Sequence, residues 1–240
     1  ETCNSPYMGN LIKSQEDYVY VWTLGVQGVG DGWDKLVTID VNPTSSRYGK
    51  VIHKVSVGGR GEAHHMGFTD DRRQIWAGGL ADNRIWVFDI ATDPAKPKLV
   101  RTITDLGDRS GYLGPHTYYA MPGRMQVQAL SNVKDKGGRT GIALYNNKGD
   151  FLASYAMPVD DGGDGYGYDL AVNPKKNVLQ HVEEVLRIPL ARREAFAAEV
   201  RKHAGHRGRG AGAAGPGIAE AGDAGARELR RRVARIAVDA

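Results

Sequence analysis

Residues 65–78 read His-Met-Gly-Phe-Thr-Asp-Asp-Arg-Arg-Gln-Ile-Trp-Ala-Gly, and residues 116–129 read His-Thr-Tyr-Tyr-Ala-Met-Pro-Gly-Arg-Met-Gln-Val-Gln-Ala. A third stretch, residues 168–179, reads Tyr-Asp-Leu-Ala-Val-Asn-Pro-Lys-Lys-Asn-Val-Leu. Each is an apolar or aromatic run, a bend rich in Asp, Pro, Gly or Asn, and a second apolar run, which is the signature of a β-hairpin. The bends at Asp71, Pro122 and Pro174 lie 51 and 52 residues apart. A fixed spacing of this size marks a repeat architecture.

Working outward, each of the first two hairpins is followed by two further strand-like runs. These are Arg84–Ile90 with Lys98–Ile103, and Thr140–Tyr145 with Phe151–Ala156. An earlier copy of this outer pair is Lys35–Val41 with Lys50–Val55. Four short strands per unit of about 50 residues predict an all-β fold of the β-propeller type. An ordinary β-sandwich is the alternative, but turn and strand order recur in register. Closure needs roughly 4–8 blades. Residues 1–180 supply about three and a half, the last hairpin being cut short after Val178.

Beyond Gln180 the sequence changes character. In residues 1–180, 11 Lys and 9 Arg balance 20 acids, whereas residues 181–240 hold 1 Lys and 11 Arg against 8 acids. The whole net charge of +4 therefore sits in the last 60 residues. Eighteen of 19 aromatics lie in the first 180 residues, and Ala, Gly, Arg and Pro make up 36 of the last 60. The expected organisation is the N-terminal half of a propeller over 1–180 and an atypical helical or disordered tail over 181–240. Val182–Leu186 and Ala191–Val200 show helical spacing interrupted by Pro189, 203–225 has no periodicity, and Glu228–Val238 reads as a short amphipathic helix with Leu229, Val233 and Ile236 on one stripe. Residues of GC-rich codons dominate this tail. It is expected to be a frameshift, fusion or assembly scar near Val178–Gln180, with a genuine helical extension as the alternative.

The chemistry-bearing residues follow from the repeat. His65 and His116 occupy the same position, six residues before the bend, and Tyr168 fills it in the third copy. In a propeller the first strand of each blade lines the central channel, so two imidazoles and a phenol would converge there as a possible metal site. Adjacent side chains on a regular strand face opposite ways. His64 therefore joins His65 only if the chain bulges, which the Gly58-Gly59-Arg60-Gly61 approach allows. Glu62 is open between metal ligand, partner of an imidazole and surface acid. Cys3, the single cysteine, is open between copper ligand, nucleophile, half of a lost disulfide and inert thiol. His53 reads as an exposed outer-strand residue, and His181, His203 and His206 match no metal spacing. The glycines of 25–32 and 162–167 lack the partners of a phosphate or calcium loop. No run approaches the roughly 18 apolar residues of a membrane span, and the tail arginines alone do not make a nucleic-acid-binding module.

Five segments carry a resemblance: residues 1–8 (Glu-Thr-Cys-Asn-Ser-Pro-Tyr-Met), 15–25, 58–72 with its Glu-Ala-His-His core, 114–117 (Gly-Pro-His-Thr) and 167–177. Together they resemble bacterial members of the selenium-binding protein / methanethiol oxidase family over 1–178. The resemblance implies a β-propeller that uses copper to oxidise methanethiol with O2, giving formaldehyde, hydrogen sulfide and hydrogen peroxide. It implies His64, His65 and His116 as copper residues, Glu62 as the acid beside the pair, and Cys3 as the cysteine of the bacterial N-terminal motif. It implies export, with Glu1 as the start of the mature periplasmic chain and the signal peptide removed. The implied partners are a small thiol and O2, with no nucleic acid and no membrane. The selenium-linked cysteine of vertebrate relatives falls on Gly49 here, which does not support selenium binding through that thiol. The family's chain continues for several more blades, so a truncated, inactive derivative or a non-catalytic selenium- or metal-binding propeller are the competing expectations.

Overall fold

The structure, a computed structural model, describes residues 15–157, 165–173, 178–183 and 233–237. The compact unit formed by Glu1–Glu184 with Arg232–Ala240 contains all of them, and Val185–Arg231, a second unit, lies outside. Its strands are β1 (Tyr18–Thr23), β2 (Lys35–Asp40), β3 (Val51–Ser56), β4 (Ala63–Phe68), β5 (Gln74–Gly79), β6 (Arg84–Asp89) and β7 (Lys98–Ile103). After the short helix α1 (Leu106–Ser110) come β8 (Tyr112–Met121), β9 (Arg124–Asn132), β10 (Gly141–Asn146), β11 (Phe151–Ala156), β12 (Gly167–Asn173), β13 (Val178–Glu183) and β14 (Val233–Ala237). They form four antiparallel sheets: β1-β2-β3, β4-β5-β6-β7, β8-β9-β10-β11 and β12-β13-β14. The fold is all-β, and the strand runs read from the repeat fall on these strands within a residue or two.

Alternation along each strand explains the stacking. On β5, Ile75 and Ala77 face a core with Trp22 and Leu36 of the first sheet, while Trp76 faces Tyr118, Met125 and Tyr145 of the third. On β6 the split is the same, with Trp86 and Phe88 one way and Ile85 and Val87 the other. The second sheet is thus buried on both faces. A further core joins Tyr119 and Ile142 to Leu170 of the fourth sheet. The first strands of neighbouring sheets lie side by side, β4 against β8 and β8 against β12. Glycine permits the closest approach. A Cβ on Gly67 would stand 2.7 Å from the Tyr118 carbonyl oxygen and 2.8 Å from its Cβ. At Gly167 it would strike Gln128 and the Ala129 carbonyl.

Three sequence expectations are corrected. The fourth hairpin is not cut short after Val178, because β13 runs to Glu183 and pairs with β12 from Asn173↔Val178 onward. Val182 is therefore strand and not the start of a helix. Residues 233–237 are strand and not helix, pairing with β13. The open edge of β13 supplies hydrogen-bonding groups, and the β-branched Val233 and Ile236 suit a pleated strand better than an isolated helix. The rest of the tail, with 203–225, lies outside the described residues. Among the described residues no helix is long and apolar enough to cross a membrane.

Replacing Gly67 by Ala forces β4 away from rigid backbone of β8. We expect a loss of roughly 1–3 kcal/mol, seen as a lower urea midpoint at unchanged slope.

Candidate metal centre

The first strand of three consecutive sheets breaks register at the same place. β4 pairs Ala63↔Gly79 and then Met66↔Ala77, so one extra residue is accommodated at His64–His65. β8 pairs Pro115↔Ala129 and then Thr117↔Gln128, with the extra residue at His116. β12 pairs Gly167↔Glu183 and then Asp169↔Val182, with the extra residue at Tyr168. A bulge bends the strand and re-aims a side chain. Here it lets His64 and His65 share one site although they are neighbours in sequence.

The result is a three-imidazole group. One ring nitrogen from each of His64, His65 and His116 lies within 4.8 Å of the others. Ring centroids are 4.7 Å apart for His64–His65, 4.7 Å for His64–His116 and 4.3 Å for His65–His116. His64 Nε2 and His116 Nε2 are 3.0 Å apart. Exposure grades from His64, exposed, through His65 to His116, which is 1% exposed. The Tyr168 ring closes on His116 at 4.6 Å.

Hydrogen bonds orient the His116 ring. Thr117 Oγ1 donates its one proton to the Tyr168 carbonyl oxygen, at 3.1 Å. His116 Nδ1 stands 3.2 Å from the same hydroxyl, and the His116 ring also hydrogen-bonds the Tyr168 main chain. Its Nε2 faces His64. Burial, reinforced by the like-charging His65 and His64, pushes the His116 pKa down to about 3. The ring is held neutral, which is the form that binds a metal. Metal–imidazole bonds of about 2 Å place two ligands of one ion roughly 3–4 Å apart. A small inward shift of these nitrogens meets that requirement, so the donor set fits a metal ion. Imidazole suits Zn, Cu, Fe and Ni.

One supporting residue was not found from the sequence. Asp34, fully buried, ends the loop before β2. Its Oδ2 accepts from Gly61 N at 2.8 Å and Ala63 N at 3.0 Å, and its Oδ1 from Gly25 N at 2.7 Å. Its backbone binds Gly59 and Val57. A single carboxylate thereby pins the chain that leads into the His64–His65 bulge. No local motif marks it, because its partners are backbone N–H groups 9, 27 and 29 residues away.

The other sequence candidates fall elsewhere. Glu62 is exposed, has a left-handed backbone with φ 63°, and stands outside the three-histidine group. Cys3, His203 and His206 lie outside the described residues. His181 is on β13, away from the repeated position. His53 is half-buried and not exposed, its Nε2 3.1 Å from the Pro97 carbonyl oxygen, because the loop before β7 folds over β3.

The sequence matches the family described as 56kDa selenium binding protein (SBP56) over residues 2–204. The match runs past residue 178, where the motif resemblance was read to end. A methanethiol oxidase of Hyphomicrobium sp is 64% identical over 179 residues, covering 75% of this chain and 41% of that protein. A methanethiol oxidase of Ruegeria pomeroyi is 52% identical over 191 residues, covering 75% of this chain and 44% of that protein. A solved structure of a hypothetical selenium-binding protein from Sulfolobus tokodaii has a TM-score of 0.64 at 27% identity, covering 75% of this chain and 44% of the other. The chain spans about two fifths of the length of these relatives.

Removing the Asp34 carboxylate leaves three backbone donors without their acceptor. Asp34→Ala is expected to lower the unfolding free energy by roughly 2–4 kcal/mol, measured by denaturant titration, with Asp34→Asn recovering part of the loss.

Proposed function

The chain belongs to the SBP56 selenium-binding protein family, and from that premise we propose that His64, His65 and His116 form the copper centre of a methanethiol oxidase. The reaction is CH3SH + O2 + H2O giving formaldehyde, hydrogen sulfide and hydrogen peroxide. The observation that carries the reading is the convergence of three imidazoles, two of them adjacent in sequence, through bulges at one repeated strand position. The names borne by the Hyphomicrobium and Ruegeria relatives support the substrate.

Under this reading the four sheets are successive blades of a β-propeller whose inner strands β4, β8 and β12 line the axis. Their side-by-side packing supports that arrangement. Copper, when bound, supplies the electron-transfer chemistry that couples thiol oxidation to reduction of O2. His116 presents Nε2 from a buried, neutral ring, whose orientation Thr117 and the Tyr168 main chain hold together. His64, the exposed member, marks the side from which a small thiol approaches. Glu62 keeps its role as the acid beside the histidine pair and Cys3 that of the N-terminal motif cysteine. The proposal includes a periplasmic location, as the family resemblance implies.

A second reading, a non-catalytic selenium- or metal-binding protein, draws on the family's description as a selenium binding protein. Peroxide release separates the two. The purified chain is expected to bind about one copper and to release hydrogen peroxide when given methanethiol in air. His65→Ala and His116→Ala are each expected to abolish stoichiometric copper. Copper content unchanged in both variants would sink the assignment, and copper bound without peroxide would favour the second reading.

Thr117 acts on the metal only through His116. Thr117→Val is expected to weaken copper binding by about 10- to 100-fold, measured by competition with a chromophoric chelator, whereas Thr117→Ser is expected to stay near wild type.

A further inference from the structure

Tyr168 occupies the third copy of the bulged position, yet it takes no part in the three-imidazole group. Without the bulge its ring would share a face with Leu170 and Val172, which pack into the core with Tyr119, Ile142 and Met157. The bulge takes the ring out of that core and sets it against His116, at 4.6 Å and a tilt of 40°. One side of the ring thus covers an imidazole that is 1% exposed, while Tyr168 itself remains 42% exposed. Tyr168 and His64, both in ring contact with His116, are exposed, so each can meet a molecule coming from solvent.

We propose that Tyr168 is the substrate-contacting wall of this centre, its ring face packing against the methyl and sulfur of the small thiol. The inference rests on the thiol-oxidase reading above. The chemistry is suited to it, because thioether and thiol sulfur make favourable contacts with aromatic rings, and a ring gives a single methyl group a flat apolar surface. The residue's main chain performs a separate task. The Tyr168 carbonyl accepts from Thr117 Oγ1, and any side chain at this position preserves that bond. Substitution of the ring therefore leaves the orientation of His116 in place.

The test is calorimetric titration of the copper-loaded full chain with methanethiol under nitrogen, in wild type, Tyr168→Ala and Tyr168→Phe, with copper content measured on each. The proposal expects full copper in both variants. It expects thiol affinity about tenfold weaker in Tyr168→Ala and within about twofold of wild type in Tyr168→Phe. Unchanged affinity in Tyr168→Ala would overturn it. So would equal losses in Phe and Ala, which would assign the contact to the hydroxyl, or loss of copper in Tyr168→Ala, which would make the ring part of metal retention. A wild-type chain that takes up copper but no thiol overturns the functional reading itself, and this inference with it.

Discussion

One extra residue in the first strand of three consecutive sheets is the constraint on which the site depends. A regular β4 would point His64 and His65 to opposite faces, and only one could serve the centre. A regular β12 would bury Tyr168 with Leu170. The bulges at 63–66, 115–117 and 167–169 turn these side chains toward one another. The fold tolerates the broken ladders because the lost pairing is compensated nearby. Asp34 receives the N–H groups of Gly61 and Ala63, and Thr117 bridges β8 to the Tyr168 carbonyl. Gly67 lets β4 approach Tyr118 of β8, and Gly167 lets β12 approach Gln128 and Ala129 of β9.

The centre is electrostatically graded. His116 sits at its buried end, where desolvation keeps the ring neutral, and a neutral, oriented ring is a ready donor. His64 sits at the exposed end. The surrounding cores are apolar and aromatic, with Trp76, Tyr118 and Tyr145 fully buried. They account for the aromatic bias of residues 1–180 without any functional role. The positive net charge of the chain belongs to residues 181–240.

Much of this could be read from the residues. Bends at Asp71, Pro122 and Pro174 placed the hairpins, and the equivalence of His65, His116 and Tyr168 marked the strand position at which the bulges fall, because turn chemistry and period-two alternation are local properties. The bulges were not legible. An inserted residue leaves no compositional mark, and its presence at His64 could only be posed as a condition. Asp34 was invisible because its partners are backbone groups far along the chain. The strand at 233–237 was misread because Val233 and Ile236 are three apart, a spacing that serves a helix stripe. Their β-branched character, and a free edge on β13 that the sequence does not display, favour the strand. Helix α1 was missed for the opposite reason, since five residues are too few to show a period.

The central claim is that the bulges of β4 and β8 build one metal centre from three imidazoles. X-ray absorption on the copper-loaded chain addresses it most directly, by counting the ligand atoms around the metal. The account predicts a first shell with three imidazole nitrogens at about 2 Å, falling by one in His116→Ala. A shell dominated by sulfur or carboxylate oxygen, or one left unchanged by His116→Ala, would contradict it.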